Sequence, residues 1–341
     1  MKKILFHTNQ LSLRGTEVAL FDYAFYNQKM FGNLSIIVTP RAASHEDSVI
    51  KKFQKYFDVI FYKDINELKA IAKHQQADIF YALKAGNNDG VVIDGLKNCI
   101  HAVFRFYEPH GDVYAYVSKW LSDTMSNGKN PYVPHMINLP NISGDLRKDL
   151  GIPDSATVFG RYGGTDTFDI WFARQAVYKT AARYPDKYFL FMNTDNFILD
   201  SAYSKSKFRN QLLGSLFYPR KKFRNVIFLD GNADPEYKVR FINTCDAMLH
   251  AREQGESFGI ACGEFSVLGK RIITCDADFI PERNHIEILG KDGLYYRSYS
   301  DLYQVLADFD PNKMKQINSP YSIDYNPESV MLRFKKIFID D

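Results

Sequence analysis

Two glutamates eight positions apart, Glu256 and Glu264, lie in the run from His250 through Glu256-Ser-Phe-Gly-Ile-Ala-Cys-Gly-Glu264 to Gly269, which leads into the apolar stretch Arg271–Thr274. This pattern reads as a strand, a polar glycine-bearing loop, a helix of small residues starting close to Ser257–Gly259, a turn at Gly269 and a second strand. A helix start leaves backbone N–H groups without intrahelical partners, and such groups receive phosphate oxygens. Eight residues of helical rise would set the two acids roughly 12 Å apart. That span suits a ligand with hydroxyls at both ends and a diphosphate between them, and a nucleotide sugar is such a ligand. Gly259, Ala261, Cys262 and Gly263 keep their side chains small, so that a ligand or a neighbouring strand can come close. In the plainer alternative, Glu256 is an acid favoured by the helix dipole and Glu264 faces solvent. Against it, Gly259, Gly263 and Gly269 would cost a purely structural helix about 2 kcal/mol relative to alanines.

The elements that must carry this segment alternate along the whole chain. Short apolar runs predict strands at Ile4–His7, Leu34–Val38, Val59–Tyr62, Ile79–Leu83, Ile100–Phe104, Tyr114–Val117 and Tyr132–Pro134 in the first half. Helices are expected from near Thr16, over Ile65–His74 and over Lys119–Ser126, the last capped by Ser118. Between about Asn138 and Ala156 the sequence carries Pro140, Gly144, Gly151 and Pro153, which marks a linker. The alternation then restarts with strands Thr157–Gly160, Tyr188–Met192, Val226–Leu229, Ala247–His250 and Arg271–Thr274. Helices Ile170–Arg183 and Pro235–Asn243 and one from about Phe258 fall between them, and Glu328–Asp341 looks helical. The expected fold is α/β, with two Rossmann-like domains facing one another across an interdomain cleft. Their spans are 1–140 and 141–325, with a helix over 326–341 packing back onto the first.

Composition narrows the function. A chain of 341 residues with 45% hydrophobic and 24% charged residues is an ordinary two-domain globular protein. A net charge of +3 announces no nucleic-acid partner. The apolar Ile4-Leu5-Phe6 is too short for a leader's apolar core and reads as a first buried strand; no run approaches the roughly 20 apolar residues of a membrane span, so the expected location is cytoplasmic. Cys99, Cys245, Cys262 and Cys275 are scattered, which signals neither a disulfide framework nor zinc. No Gly-x-Ser-x-Gly elbow supports a hydrolase. Asp276-Ala-Asp278 follows a strand beyond the donor segment and is read as a turn, so no cofactor and no essential metal are expected. A basic stretch with Lys205, Lys207, Arg209, Arg220, Lys221, Lys222 and Arg224 is a solvated face or, alternatively, a surface for an anionic acceptor or peripheral membrane contact.

Glu256-Ser-Phe-Gly…Glu264, with its trailing Gly269 and apolar strand, resembles the E-x7-E signature of family 4 and related retaining glycosyltransferases of GT-B fold. The resemblance covers the chain in outline and about thirty residues specifically. It implies that Glu256 contacts the donor sugar, that Ser257, Phe258, Gly259, Ile260 and Ala261 offer backbone amides to sugar and diphosphate, and that Glu264 holds the ribose hydroxyls. Leu13-Arg14-Gly15-Thr16-Glu17 is similar to the family's Gly-Gly-x-Glu loop, which puts Gly15 and Thr16 at the donor; the alternative is an ordinary helix start capped by Thr16. Ile100-His101 looks like the family strand that bears a histidine near the donor sugar, with His110 as the rival. Arg161 matches the first of two diphosphate-binding cations; where the second, a lysine, would stand, this chain has Asp166 and Thr167, and Arg252 or Arg14 is the cation that could substitute.

The resemblance implies transfer of a sugar from a nucleoside-diphosphate donor, with UDP or GDP the leading nucleotides, to a hydroxyl of a glycan, glycoprotein or lipid-linked acceptor. Configuration would be retained by same-face attack, with Glu256 and His101 as the catalytic pair. The missing lysine keeps open a catalytically silent sugar-nucleotide binder, and an inverting transferase or an epimerase of the same fold is the third alternative.

Overall fold

The computed structural model describes residues 1–197, 223–314 and 318–340. Its first half runs β1 (Lys3–His7), α1 (Gly15–Phe31), β2 (Leu34–Pro40), α2 (Asp47–Gln54), β3 (Asp58–Tyr62), α3 (Ile65–Gln75), β4 (Ile79–Lys84), β5 (Lys97–Ala102), β6 (Val113–Tyr116) and α4 (Lys119–Ser126). The strands read as continuous apolar runs because helices cover both faces of the sheet they form; all six are parallel, in the order β3-β2-β1-β4-β5-β6. Asp64 and Ser118 cap α3 and α4 through their side-chain oxygens, as the sequence predicts for Ser118.

The second half runs β7 (Thr157–Tyr162), α5 (Trp171–Arg183), β8 (Lys187–Met192), β9 (Val226–Leu229), α6 (Pro235–Thr244), β10 (Ala247–Leu249), β11 (Gly255–Glu256), α7 (Ile260–Val267), β12 (Arg271–Cys275), β13 (Glu282–Arg283), α8 (Asn284–Leu289), β14 (Leu294–Tyr296) and α9 (Tyr299–Asp308). Its main sheet is also parallel, ordered β14-β12-β10-β7-β8-β9, while β11 and β13 form a separate parallel pair. Numbered within its own half, each main sheet has the same order, 3-2-1-4-5-6. That is the doubly wound arrangement, in which ligands bind beyond the carboxyl ends of the strands where the order reverses.

The predicted strands recur with shifts. The strand expected at Ile100–Phe104 starts three residues and ends two residues earlier, and Tyr132–Pro134 contributes one bridge, Tyr116 to Tyr132. Helices α2, α8 and α9 and strand β14 were not anticipated. The chain ends in α10 (Pro327–Phe334) and a wider turn over Lys335–Ile339, which pack on the first half. The Phe334 ring lies 5.1 Å from both Tyr23 and Tyr81, and Lys97 and Lys2 donate to the carbonyls of Asp340 and Ile339 at 2.6 and 2.7 Å. No helix among the described residues is long and apolar enough to cross a membrane. The basic residues from Lys205 to Lys222 lie outside the described part.

Candidate functional site

The two switch points, between β1 and β4 in one half and β7 and β10 in the other, bring their loops to a common cleft. That cleft consists of two chambers sharing Gly15, Tyr162, Gly163, Ile260 and Ala261. One, of about 820 Å³, contains Glu264, Lys238, Glu17 and Lys52; the other, of about 880 Å³, contains Glu256, Arg252, Arg161 and His135. The two glutamates of the sequence motif therefore occupy different chambers, and the start of α7 forms the divide.

That start leaves backbone amides uncapped. Gly259 is the N-cap, at φ +90°, a conformation that a side chain would strain, and it offers no side-chain cap. The first intrahelical bond joins the Gly263 amide to the Gly259 carbonyl at 3.0 Å, so the amides of residues 260–262 have no partner inside the helix. Glu256 itself stands before the helix, in β11, so the helical span expected between the acids does not apply. Gly15 faces Ile260 across the cleft, a Cβ on it falling 3.5 Å from Ile260 Cδ1, and Thr16 lines the Glu256 chamber. α1 begins at Gly15 with Arg14 as the cap residue, so Thr16 does not cap it.

Glu264 is buried rather than solvent-facing. Lys238 donates to Oε1 at 2.7 Å, and the Tyr162 hydroxyl donates to Oε2. Burial first, then the adjacent carboxylate, lifts the Tyr162 phenol well above its ordinary range, so it remains a donor. Glu256 is half-buried, with Arg252 donating to Oε2 at 3.0 Å and His250 Nε2 lying 3.2 Å from Oε1. Burial alone would raise the Glu256 carboxyl; Arg252, His250 and His285 outweigh it and hold it at about 2. Arg161 is nearly inaccessible, and its guanidinium already donates to Thr194, Thr167 and the Gly164 carbonyl, the last at 2.9 Å. Its burial brings its pKa down to about 10. Arg161 lines the chamber but braces the loop after β7 with the donors the resemblance assigns to phosphate. Arg252 is the more available cation there, while Arg14 lies 3.8 Å from Asp166.

His101 is not brought to the cleft. Its Nε2 lies 2.9 Å from the Val133 carbonyl, which can only accept, so Nδ1 takes the Tyr81 hydroxyl at 2.6 Å. Both ring nitrogens are satisfied inside the core, and burial holds the ring at about 3 and neutral. His110 bonds its own loop, at the Glu108 carbonyl. The histidines that do line the Glu256 chamber are His250, which is engaged with Glu256, and His135. Tyr23 gives its proton to the Pro134 carbonyl at 2.8 Å, so His135 Nδ1, 3.1 Å from the same hydroxyl, is the donor to it; the neutral ring then keeps Nε2 as an acceptor.

Sequence reasoning also missed Lys52, which projects from the unpredicted α2 into the Glu264 chamber beside Lys238. Its signal was the amphipathic stretch Asp47–Gln54. Glu17, with Ser12 and Thr8 donating to it at 2.9 and 3.2 Å, is raised by burial to about 7. Asp276 pairs with Arg283 and Arg297, which fits a turn. Among the described residues no three His, Cys, Asp or Glu side chains converge as metal ligands.

No family model and no curated protein sequence matches the chain. Solved structures do. Anabaena HepE, crystallised with UDP and glucose, is 15% identical with a TM-score of 0.72, covering 98% of this chain and 99% of that one. A glycosyltransferase from Rickettsia africae ESF-5 is 12% identical with a TM-score of 0.70 over 100% and 99%. A putative UDP-N-acetylglucosamine 2-epimerase from Listeria monocytogenes is 12% identical with a TM-score of 0.62 over 100% and 97%. The fold is GT-B. At these identities the likeness is one of architecture, and it spans essentially the whole chain.

Proposed function

We propose that this chain is a glycosyltransferase that moves a sugar from a nucleoside-diphosphate donor, UDP-linked or GDP-linked, to an acceptor hydroxyl with retention of configuration. The carrying observation is the placement of one acid, buried Glu264 or half-buried Glu256, in each of two chambers that meet at an uncapped helix start. On this reading Glu264 takes the ribose hydroxyls, the amides of Ile260 and Ala261 take the diphosphate, and Glu256 and Ser257 face the sugar, with Gly15 and Thr16 closing over it. HepE was crystallised with UDP-glucose, and its fold likeness supports a nucleotide-sugar ligand here. The negative charge that develops on the leaving diphosphate meets the helix start and the Arg252 and Arg161 guanidinium groups, and the proposal includes no essential metal. Same-face attack hands the acceptor's proton to the leaving phosphate, and closure of the two halves excludes water. His135, rather than His101, offers the imidazole at the sugar. The acceptor is a glycan, glycoprotein or lipid-linked saccharide.

A silent sugar-nucleotide binder is the second reading, favoured by the commitment of Arg161 to Thr194, Thr167 and Gly164 and by Asp166 and Thr167 standing where a lysine would help. A thermal-shift screen against UDP-, GDP-, ADP- and TDP-sugars tests for the ligand, because binding to the folded state raises its melting temperature by mass action. Transfer assays with product stereochemistry then separate a retaining transferase from a binder, an inverting enzyme or an epimerase. No shift with any of these donors defeats the proposal.

A further inference from the structure

Behind Glu256 lies a chain of buried polar groups that donor contacts do not account for. His250 Nδ1 is 2.9 Å from Thr274 Oγ1, and that hydroxyl is 3.0 Å from His285 Nε2. The two rings sit 4.8 Å apart, and His285 Nδ1 is buried without a partner. Every proton in this chain can be assigned. Arg252 on Oε2 keeps Glu256 ionised, and an ionised carboxylate only accepts, so His250 Nε2 carries a hydrogen. The Thr274 hydroxyl has one proton and two ring nitrogens beside it. If it donates to His250 Nδ1, it accepts from His285 Nε2–H, and the bare His285 Nδ1 is a lone pair. If it donates to His285 instead, neutral His285 carries its hydrogen on the orphaned Nδ1, leaving a buried N–H unbonded, the rarer and costlier arrangement. Burial, then the neighbouring His250, keeps His285 neutral.

We infer that His250, Thr274 and His285 form a one-directional hydrogen-bond relay that fixes the orientation of the Glu256 carboxylate in its chamber. His285 starts the relay, and Thr274 passes it to His250. These three are positioning residues, and the inference that they serve sugar transfer rests on the function proposed above.

The same element that supplies His285 also holds the helix start. Asn284 donates to the Phe258 carbonyl at 3.1 Å, and a Cβ on Gly259 would fall 3.1 Å from the His285 Cβ. Strand β13, immediately before α8, pairs with β11 through Arg283 opposite Glu256. One short segment, 282–285, thereby braces both the strand that carries the acid and the loop that leads into the helix start.

The test is nitrogen-15 NMR of the intact chain with labelled histidine rings, assigned by the H250N and H285Q variants. Both His250 and His285 are expected as neutral Nε2–H tautomers at neutral pH. An Nδ1–H tautomer or an imidazolium at either site overturns the relay. Thr274→Val should take the donor from the His250 Nδ1 lone pair, move that nitrogen's signal while Nε2 keeps its hydrogen, and lower kcat for sugar transfer about tenfold, with nucleotide affinity within twofold of the parent; Thr274→Ser should restore the signal and the rate. An unaltered His250 signal and unaltered kcat in Thr274→Val refute the positioning role. A chain that binds and turns over no nucleotide sugar defeats the proposed function, and the relay is then decided by the ring signals and their response to Thr274→Val and Thr274→Ser alone.

Discussion

Replacing Glu264 with glutamine changes hydrogen-bond capacity at one point with little change of shape, and the consequence can be worked out atom by atom. A carboxylate has about four lone-pair sites. Lys238 and the Tyr162 hydroxyl use two of them, leaving two for the pair of ribose hydroxyls. Glutamine has one carbonyl oxygen, with two sites. Its amide nitrogen cannot face the Lys238 ammonium, since both only donate, so the oxygen must take Lys238 and the NH2 must turn to Tyr162. One acceptor site then remains for two hydroxyls, and its charge is gone. Loss of one charge-assisted hydrogen bond costs about 1.5–3 kcal/mol, which at 1.4 kcal/mol per tenfold is a weakening of nucleotide binding by roughly one to two orders of magnitude. Lys238 and Glu264 are 14% and 2% exposed, so the substitution also lowers stability. Calorimetric titration with UDP and GDP, run well below the melting temperature of the variant, separates the two effects. A folded Glu264→Gln chain that binds its nucleotide within twofold of the parent would refute the assignment of this acid to the ribose.

Glu256→Gln should lower transfer by about a hundredfold or more while nucleotide affinity stays within about threefold, read from initial rates and a binding titration, because its partners Arg252 and His250 lie in the other chamber. Arg161→Lys keeps the charge but not the planar fork that reaches Thr194, Thr167 and Gly164, and should cost about 2–4 kcal/mol in denaturant unfolding. Glu17 keeps its proton in the folded chain to about pH 7, whereas the unfolded carboxyl loses it near 4.5. The unfolded state therefore binds fewer protons between those values, and stability falls as pH rises through that window, by up to roughly 3 kcal/mol from this group; Glu17→Gln should flatten that part of the profile in denaturant titrations at pH 5 and pH 7.5. At Gly263 a Cβ would lie 2.5 Å from Ile137 Cδ1 and 2.9 Å from Tyr321, so Gly263→Ala should destabilise by about 1–3 kcal/mol despite alanine's better helix propensity, seen as a lower melting temperature.

Much of the architecture was legible because parallel strands covered on both faces are short unbroken apolar runs, and runs such as Phe189–Met192 or Ile79–Leu83 have no other plausible use. Glu256 and Glu264 stood out because glycines crowd the segment between and after them, and both acids line the cleft; that Gly263 also makes room for Ile137 and Tyr321 was hidden. What was hidden depended on tertiary contact. A histidine in an apolar strand looks the same whether its nitrogens face a cleft or, like His101, are taken by Tyr81 and the Val133 carbonyl. Arg161 could be placed after its strand, but not its engagement by Thr167, six residues on, and Thr194, thirty-three residues on. Lys52 belongs to an eight-residue helix, too short for periodicity to stand out, and His285 to one of six.

The shared strand order puts residues of both halves around each chamber. A doubly wound sheet presents its crevice where the order reverses, and here the two crevices face each other, so each chamber has walls from both halves. In the Glu264 chamber, the first half supplies Ser12, Glu17 and Lys52, and the second supplies Tyr162, Lys238 and Glu264. Contact across the cleft is tight where a Cβ on Gly231 would come 2.6 Å from Leu13 Cδ1, and Gly15 lies within ordinary reach of Ile260. A ligand that spans both chambers therefore touches both halves at once, and any preference it has for a closed over an open arrangement would shift the balance between them by that difference in affinity. On the proposed function, sugar transfer would use that bridging, with the nucleoside end around Glu264 and the sugar end around Glu256.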